Sequence, residues 1–266
     1  MALLEIHDLH TFFKTKKGIV KAVNGVSYSV EPGKTLGVVG ESGSGKSVSA
    51  MSILKLLDGN GYIDSGEIIF DGKNLADVSV KDMCKIRGNE ISVIFQEPMT
   101  SLNPIFTVER QLSEPFIIHQ GMNKKEAAVK VVEMLKDVRI PNPEAVAKQY
   151  PHQLSGGMRQ RVGIAMAMTF NPELLLADEP TSALDVTTQA QIVRQMMELR
   201  DDFGTGIIIV THNIGVAAYM ADQLVVMQHG KVVDQGTRDE VMNHPTSDYT
   251  KKLLAAVPEM EGQRYV

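Results

Sequence analysis

The chain has 266 residues, of which 43% are hydrophobic and 22% are charged, and its formal net charge is -5. This size and balance predict one large globular unit or two closely joined ones. The acidic balance argues against general nucleic-acid binding, which depends on a basic surface. We therefore expect no nucleic-acid partner.

Cysteine content and hydropathy indicate the compartment. A single cysteine, Cys84, argues against an internal disulfide or a cysteine-built metal cluster and is typical of a reducing cytosol. No apolar run approaches the ~20 residues that cross a bilayer. The start of the sequence, MALLEIHDLH, lacks the basic and long apolar regions of a signal peptide. We expect a soluble cytoplasmic chain whose role at a membrane, if any, depends on a partner.

The predicted elements begin with strands. Two of them, LLEIHDL and GIVKAVNGVSYSV, precede a turn at EPGK and the apolar strand TLGVVG. The next strand, SGEIIFDGKNL, ends in an Asp-Gly turn. Three short apolar runs are typical of strands covered on both faces, namely ISVIFQ, ELLLAD and GIIIVTH. The segment THNIGVAAYMADQ follows, and the last two strands, QLVVMQ and KVVDQG, flank the dipeptide HG.

A long stretch with helical spacing separates ISVIFQ from ELLLAD. Within it, NKKEAAVKVVEMLKDV places on one face Ala127, Val131, Met134, Leu135 and Val138, and GGMRQRVGIAMAMTF begins another helix. We predict an α/β core with a mixed sheet formed by residues 1–97 and 170–236, a helical insert at 98–169 and a tail at 237–266. An insert of this size is more often a recognition arm than filler.

The segment GESGSGKS lies between the strand TLGVVG and an apolar run with helical character. Its glycines allow consecutive N–H groups to turn inward, and the following helix adds its positive end, so the pattern predicts a phosphate site. Lys46 would reach the β- and γ-phosphates, and Ser47 would offer its hydroxyl to Mg²⁺. An ordinary Gly/Ser turn is the alternative. The predicted contacts are Gly40, Glu41, Ser42, Gly43, Ser44, Gly45, Lys46 and Ser47.

Polar residues close three of the apolar strands. Asp178 and Glu179 end ELLLADE, so Asp178 can hold Mg²⁺ while Glu179 acts as general base on a water in line with the γ-phosphate. Gln96 ends ISVIFQ and can touch both Mg²⁺ and that water, and His212 ends GIIIVTH. Because ligands lie at the carboxyl ends of α/β strands, these side chains are predicted to meet beside the phosphate loop. The alternatives are a solvated acidic turn and an ordinary polar histidine.

A second glycine-rich helix start lies inside the insert, at LSGGMRQ. Ser155 would cap the helix in the simplest interpretation. Two glycines in a first turn are costly for a mere cap, however, so a closely approaching anion is favoured.

Together these motifs resemble those of the nucleotide-binding subunit of ATP-binding-cassette (ABC) transporters. GESGSGKS is similar to the Walker A loop of that family, LLLADE to Walker B, LSGGMRQ to the signature motif and SALD, ending at Asp185, to the D-loop. Gln96 matches the Q-loop glutamine and His212 the switch histidine. The resemblance covers nearly the whole chain. It implies an ABC-type P-loop ATPase with an antiparallel N-terminal β-subdomain and a helical subdomain, using ATP and Mg²⁺.

The resemblance also implies roles for further residues. Asp185 joins the predicted catalytic set of Glu179, His212 and Gln96, and an aromatic stacks on adenine, with Phe13 favoured by spacing and Phe12 the alternative. Two cassettes of this family pair head to tail, so that each signature motif completes the ATP site of the other. The residues predicted to act on the partner's ATP are Ser155, Gly156, Gly157, Met158 and Gln160.

Two segments resemble the oligopeptide, dipeptide and nickel importer branch, namely FQEPMTSLNP after Gln96 and HPTSDYTKKLLAAVP in the tail. This branch implies a second ATPase in a heterodimer, two membrane permeases, an extracytoplasmic solute-binding protein and a place on the cytoplasmic face of a bacterial membrane. We expect short peptides as cargo. Nickel import, a non-transport ABC ATPase and a regulatory module without turnover are the alternatives.

The sequence departs from many relatives of this branch, which carry a cysteine-rich iron–sulfur segment after the tail motif. The sequence has no cysteine there, so no cluster is expected. The loop EPMTSLNP, which contains Ser101 and Leu102, is predicted to be a shaped hinge because two prolines bound it. The resemblance implies that a permease helix docks beside this loop.

Overall fold

The computed structural model describes residues 2–96, 101–182 and 184–256, with two short strands at 259–260 and 263–264. Two larger sheets form its framework. The first has four antiparallel strands in the order β2-β1-β4-β5, and the second has six in the order β10-β9-β3-β8-β7-β6. Their bounds are β1 Leu4–Thr15, β2 Gly18–Val30, β3 Thr35–Val39, β4 Gly61–Phe70, β5 Lys73–Asn74, β6 Ile91–Ile94, β7 Leu174–Asp178, β8 Gly206–Thr211, β9 Gln223–Gln228 and β10 Lys231–Thr237.

The six-stranded sheet is parallel through its centre. β3 pairs in parallel with β8 and β9, and β7 pairs in parallel with β6 and β8, whereas β10 runs antiparallel to β9 at one edge. Every residue of β3, β7 and β8 is buried, as expected for strands covered on both faces. The carboxyl ends of β3, β6, β7 and β8 therefore lie along one edge of the sheet.

Ten helices accompany the strands in the described part of the chain. Their bounds are α1 Lys46–Ile53, α2 Val80–Ile86, α3 Val108–Gln120, α4 Lys124–Asp137, α5 Pro143–Ala147, α6 Gly156–Ala167, α7 Val186–Phe203, α8 Ile214–Met220, α9 Arg238–Asn243 and α10 Asp248–Ala255. Helices α3 to α6 lie between β6 and β7 in the chain. No helix in the described ranges is both long and apolar enough to span a bilayer.

Three clusters of buried apolar side chains hold these elements together. The first joins the antiparallel sheet and α1 to one face of the large sheet. The second joins the helices of the insert and α7 to the opposite face of β6, β7 and β8, and it includes the predicted face residues Val131, Leu135 and Val138. The third lies under the tail, where Leu254 of α10 and Val241 of α9 share a cluster with Val39 of β3. The tail thus packs close to the end of the strand that leads into the phosphate loop.

These observations confirm the predicted α/β fold with a mixed sheet, an N-terminal antiparallel sheet and a helical insert. One strand differs from its prediction, because β1 continues through Thr15 rather than stopping within LLEIHDL. Phe12 and Phe13 pair there with β2 on one side and β4 on the other, so sheet pairing extends the strand. The division at residues 97, 98, 169, 170, 236 and 237 remains a prediction.

Candidate active site

The phosphate loop connects the buried end of β3 to the start of α1. Gly45 precedes the helix with φ 99°, a left-handed conformation suited to glycine, and a Cβ there would clash with the carbonyl oxygen of Ala22. Gly40 is similarly confined, since a Cβ would clash with the carbonyl oxygen of Met227. The loop is therefore held in shape by β2 on one side and β9 on another.

Lys46 lies at the centre of this loop. Its Nζ donates to the carbonyl oxygens of Gly40 at 2.7 Å and Glu41 at 2.9 Å, and only 4% of the residue is exposed. Burial lowers the pKa of Lys46, although the carboxylates of Glu179 and Asp178 oppose that shift. The buried ammonium thus has carbonyl partners now and would gain from an anionic ligand.

Ser44 supplies a second indication of a ligand in the loop. Its hydroxyl is buried, and no hydrogen-bond partner for it lies within the described residues. A buried hydroxyl without a partner is costly, and a phosphate oxygen would satisfy it. The loop therefore fits a phosphate group.

Ser47 and Asp178 meet beside the loop. The Ser47 hydroxyl donates to Oδ1 of Asp178 at 2.8 Å, which links the first turn of α1 to the end of β7. Asp178 is 8% exposed, and burial is the main reason that its pKa is raised. A hydroxyl and a carboxylate are oxygen ligands of the kind that Mg²⁺ prefers, so this pair fits that cation.

Glu179 is the point where three strand ends converge. Its Oε2 accepts a hydrogen bond from Nε2 of Gln96 at 3.2 Å, and its Oε1 lies 3.1 Å from Nδ1 of His212. The residue has φ 46°, which is uncommon for a side chain of this size, and its N–H donates to Val210 at 2.8 Å. The structure thus brings together Gln96, Asp178–Glu179 and His212, as the sequence predicted from their strand ends.

The second glycine-rich helix start forms a separate group of side chains. Ser155 caps α6 by accepting from the N–H of Met158, and Ser155 and Gly156 are exposed to solvent. Asp185 caps the neighbouring helix α7 and is bonded to the N–H and hydroxyl of Thr188 at 2.9 and 2.7 Å. An open cavity of about 510 Å³ lies between these two helix starts, and its lining includes Ser155, Gly156, Gly157, Met158, Asp185 and Thr188.

The remaining predicted residues are placed as follows. Asp185, which the sequence assigned to the catalytic set, lies with the signature residues rather than beside Glu179. Gln160 is buried, with its Nε2 unpartnered among the described residues. Phe12 is buried and meets Tyr62 edge to face, whereas Phe13 is half-buried. They pair with Lys21 and Val20 of β2, the strand whose Ala22 carbonyl borders Gly45. Residues 97–100 of the predicted hinge and Ala183 of SALD lie outside the described residues.

Sequence reasoning missed two contacts with these groups. The hydroxyl of Tyr249 in α10 accepts from the N–H of Glu41 at 2.8 Å, and the side chain of Thr188 stands where a Cβ on Gly157 would point. Both contacts join segments that are distant in the chain. The tail segment that contains Tyr249 was noticed only for its resemblance to a branch of importers.

Comparison with known proteins identifies the family. The ABC transporter family matches residues 23–182. This chain belongs to the ABC transporter family. The oligopeptide transport ATP-binding protein AppD of Bacillus subtilis is 48% identical over 98% of this chain and 80% of its own length. OppD of the same organism is 50% identical over 98% of this chain and 73% of its own length.

Solved structures of ABC proteins share the fold. The dimeric structure of MJ0796, a bacterial ABC transporter cassette, has a TM-score of 0.79 and 29% identity, covering 88% of this chain and 98% of that one. CbiO1 of Clostridium perfringens, part of the ABC transporter complex cbiONQ, has a TM-score of 0.77 and 29% identity, covering 90% of each chain. The predicted ABC-type fold is therefore confirmed, and the chain is an ABC ATPase.

Proposed function

We propose that this chain hydrolyses ATP to drive the import of short peptides through a membrane transporter. The observation that carries the enzymatic part is the convergence of Gln96 and His212 on Glu179, beside a loop whose buried Lys46 and Ser44 suit a phosphate. The peptide part rests on the relatives, which are named as oligopeptide transport ATP-binding proteins.

In this proposal the phosphate loop binds ATP. The loop amides, Lys46 and Ser44 contact the phosphates, while Ser47, Asp178 and Gln96 would hold Mg²⁺. Bound Mg²⁺ would neutralise charge on the phosphate oxygens. Phe13 stacks on adenine, with Phe12 as the alternative, because both lie near the strand that borders the loop.

Glu179 is the proposed general base. Its carboxylate accepts a proton from the attacking water as the water oxygen bonds to the γ-phosphorus and the bond from that phosphorus to the bridging oxygen breaks, releasing ADP. Gln96 and His212 hold that carboxylate from two sides, at 3.2 and 3.1 Å, and so restrict where it points. The restriction matters because a base works only within hydrogen-bond reach of the proton that it removes.

We call the residues around the start of α6 and the neighbouring Asp185 the signature group. This group is proposed to act on the ATP of a second cassette. Ser155 and Gly156 are exposed at the start of α6, beside an open cavity that the helix dipole makes favourable for anions. Gly157, Met158 and Asp185 also line this cavity, and Gln160, which is buried in the same helix, is proposed to support it. Support comes from MJ0796, a similar cassette whose structure is dimeric.

The assembly proposed here has a second ATPase, so that the pair is a heterodimer, together with two permeases and an extracytoplasmic solute-binding protein. The chain would bind peripherally at the cytoplasmic face of a bacterial membrane and carry no iron–sulfur cluster. Residues around Ser101 and Leu102 would face the permease.

Uptake tests the proposed cargo. Cells whose gene is replaced by the wild-type sequence or by Glu179→Gln are given labelled dipeptides, labelled pentapeptides or radioactive nickel. We expect peptide uptake that the substitution abolishes, with nickel uptake the same in both strains. Uptake of nickel but not of peptides, dependent on Glu179, would replace the cargo assignment and leave the ATPase assignment intact.

A further inference from the structure

The tail helix α10 contacts the first peptide of the phosphate loop. The hydroxyl of Tyr249 accepts a hydrogen bond from the N–H of Glu41 at 2.8 Å, across 208 positions of sequence. That N–H belongs to the peptide between Gly40 and Glu41. The carbonyl oxygen of the same peptide, on Gly40, accepts from Nζ of Lys46 at 2.7 Å.

These two hydrogen bonds act on one rigid unit. A peptide group is planar, so an acceptor that fixes the direction of its N–H also fixes the direction of its carbonyl. The hydroxyl of Tyr249 and the ammonium of Lys46 therefore hold opposite edges of the Gly40–Glu41 peptide. The adjoining carbonyl of Glu41 also accepts from Lys46, at 2.9 Å, and from the N–H of Ser44, at 3.2 Å. The orientation of the lysine that faces the phosphates depends on this arrangement.

The tail that carries Tyr249 is itself firmly anchored. Asp234 of β10, which is 8% exposed, accepts from the N–H and hydroxyl of Thr246 at 2.9 and 3.1 Å and from the N–H of Ser247 at 3.1 Å. Ser247 then caps α10 by accepting from the N–H of Tyr249 at 3.2 Å. A charge-assisted cluster of this kind fixes the start of the helix.

Burial of the helix completes the anchor. Leu254 and the ring of Tyr249 pack in the cluster that includes Val39, the residue just before Gly40. The hydroxyl of Tyr249 is neutral at physiological pH, as for any tyrosine, and burial raises its pKa further; its oxygen accepts this hydrogen bond. The tail thus supports both the strand before the loop and the first peptide within it.

We propose that Tyr249 is a positioning residue that preorganises the phosphate loop for ATP, with α10 as its support. This inference rests on the proposed ATP site. An anchored loop binds its ligand more tightly because less ordering is left to occur on binding. Among the described residues, no hydrogen bond or ion pair joins α10 to Glu179, Gln96 or His212, so affinity should change while the chemical step does not.

Tyr249→Phe tests the hydroxyl alone, because it removes that group while the ring and its apolar contacts remain. The dissociation constant of the chain for Mg-ATP and the KM of the assembled transporter should both be about threefold to tenfold higher, as for the loss of one hydrogen bond, with kcat of the transporter changed less than about twofold. Hydrogen exchange of segment 37–45 should become faster. Tyr219→Phe is the matched control, because Tyr219 is a half-exposed tyrosine on α8 outside this contact, and it should behave as wild type.

The possible results distinguish a failure of the Tyr249 inference from a failure of the proposed function. An unchanged ATP affinity and unchanged exchange in Tyr249→Phe would overturn the inference while wild-type binding of ATP leaves the proposed function standing. A fall in kcat at unchanged KM would also overturn it. If the wild-type chain did not bind Mg-ATP at all, the proposed function and the inference would fail together.

Discussion

The two glycine-rich helix starts of this chain differ in how far the chain itself completes them. Around Lys46, side chains from three strand ends and the tail are buried or bonded to one another or to the loop. Around Ser155, the helix start is exposed and faces an open cavity. The same local feature, glycines at the start of a helix, is therefore tied to neighbouring strands and the tail in one place and open to solvent in the other.

This difference indicates which steps one chain can perform alone and which steps require two chains. The phosphate-loop group has a pair proposed to hold Mg²⁺, a candidate base and a buried lysine, so it should bind nucleotide alone. The signature group has a capped helix, a dipole and an accessible face, which suit an anion presented by another molecule. Substitutions in the first group should therefore alter binding or chemistry directly, and those in the second only within the assembled transporter.

The largest expected effect comes from the base. Glu179→Gln keeps the shape of the side chain, but it replaces one acceptor oxygen with an NH2 group and cannot accept a proton, so phosphate release by the assembled transporter should fall about 10²–10⁴-fold. ATP affinity should stay within about twofold, because the phosphate contacts remain. Glu173→Gln, the same change at an exposed position before β7, is the control. Wild-type turnover in Glu179→Gln would remove this residue from the catalytic role.

A smaller effect, on binding itself, is expected at the loop lysine. Lys46→Ala removes a charge-assisted contact with the phosphates and should weaken ATP binding by the isolated chain about tenfold to a hundredfold. Titration with a fluorescent ATP analogue measures it, with exposed Lys17→Ala as the control. Equal affinities for the two variants would mean that Lys46 does not contact the nucleotide.

The smallest effect concerns stability without ligand. Burial raises the pKa of Asp178, so the folded state disfavours the charged carboxylate and loses stability as pH rises through that pKa. Asp178→Asn, which can still accept from Ser47, should raise the Tm of the nucleotide-free chain at pH 7. The gain should shrink as the pH falls toward about 4, the usual pKa of Asp.

We expect a change in Tm of the opposite sign for the same substitution at a surface control residue. The pKa of Asp82 is lowered, chiefly by its hydrogen bond to Lys85, so Asp82→Asn should lower the Tm at pH 7 rather than raise it. Calorimetry of both variants at pH 7 and pH 5 makes the comparison. A lower Tm for Asp178→Asn at pH 7 would contradict the cost assigned to the buried carboxylate.

Much of this arrangement could be predicted from the sequence. The phosphate loop was visible because glycine spacing between a strand and a helix is a local pattern. The meeting of Gln96, Glu179 and His212 followed from a topological rule, since parallel strands end at one edge. Both kinds of inference need only short segments and their order.

Other contacts could not be predicted because they depend on three-dimensional packing between distant segments. Nothing near Tyr249 in the sequence indicates that its hydroxyl reaches Glu41, and nothing near Gly157 indicates that Thr188 stands against it. The continuation of β1 through Phe13 likewise depended on pairing with β4. The association of Asp185 with the signature residues depended on how α6 and α7 lie side by side.

The structure also shows which glycine is the better position for testing whether the signature residues act on the ATP of a second chain. A Cβ on Gly157 would lie 2.7 Å from Cγ2 of Thr188, so a side chain there disturbs its own subunit. A Cβ on Gly156 would lie 3.6 Å from Leu184, which is ordinary contact, and this residue is exposed. Gly156→Asp therefore places a carboxylate at the open face with little internal strain. Gly163→Asp, later in the same helix and with open space around its Cβ, is the matched control.

The most direct test compares ATP binding by the isolated Gly156→Asp chain with ATP trapping by the transporter that contains it. Trapping is measured as labelled ATP retained in a Glu179→Gln background. The account predicts an isolated-chain affinity equal to that of Gly163→Asp, together with loss of trapping only for Gly156→Asp, because the new carboxylate repels the γ-phosphate held by the partner. Weakened binding by the isolated Gly156→Asp chain, or normal trapping by its transporter, would contradict the claim that the second helix start serves the ATP of another cassette.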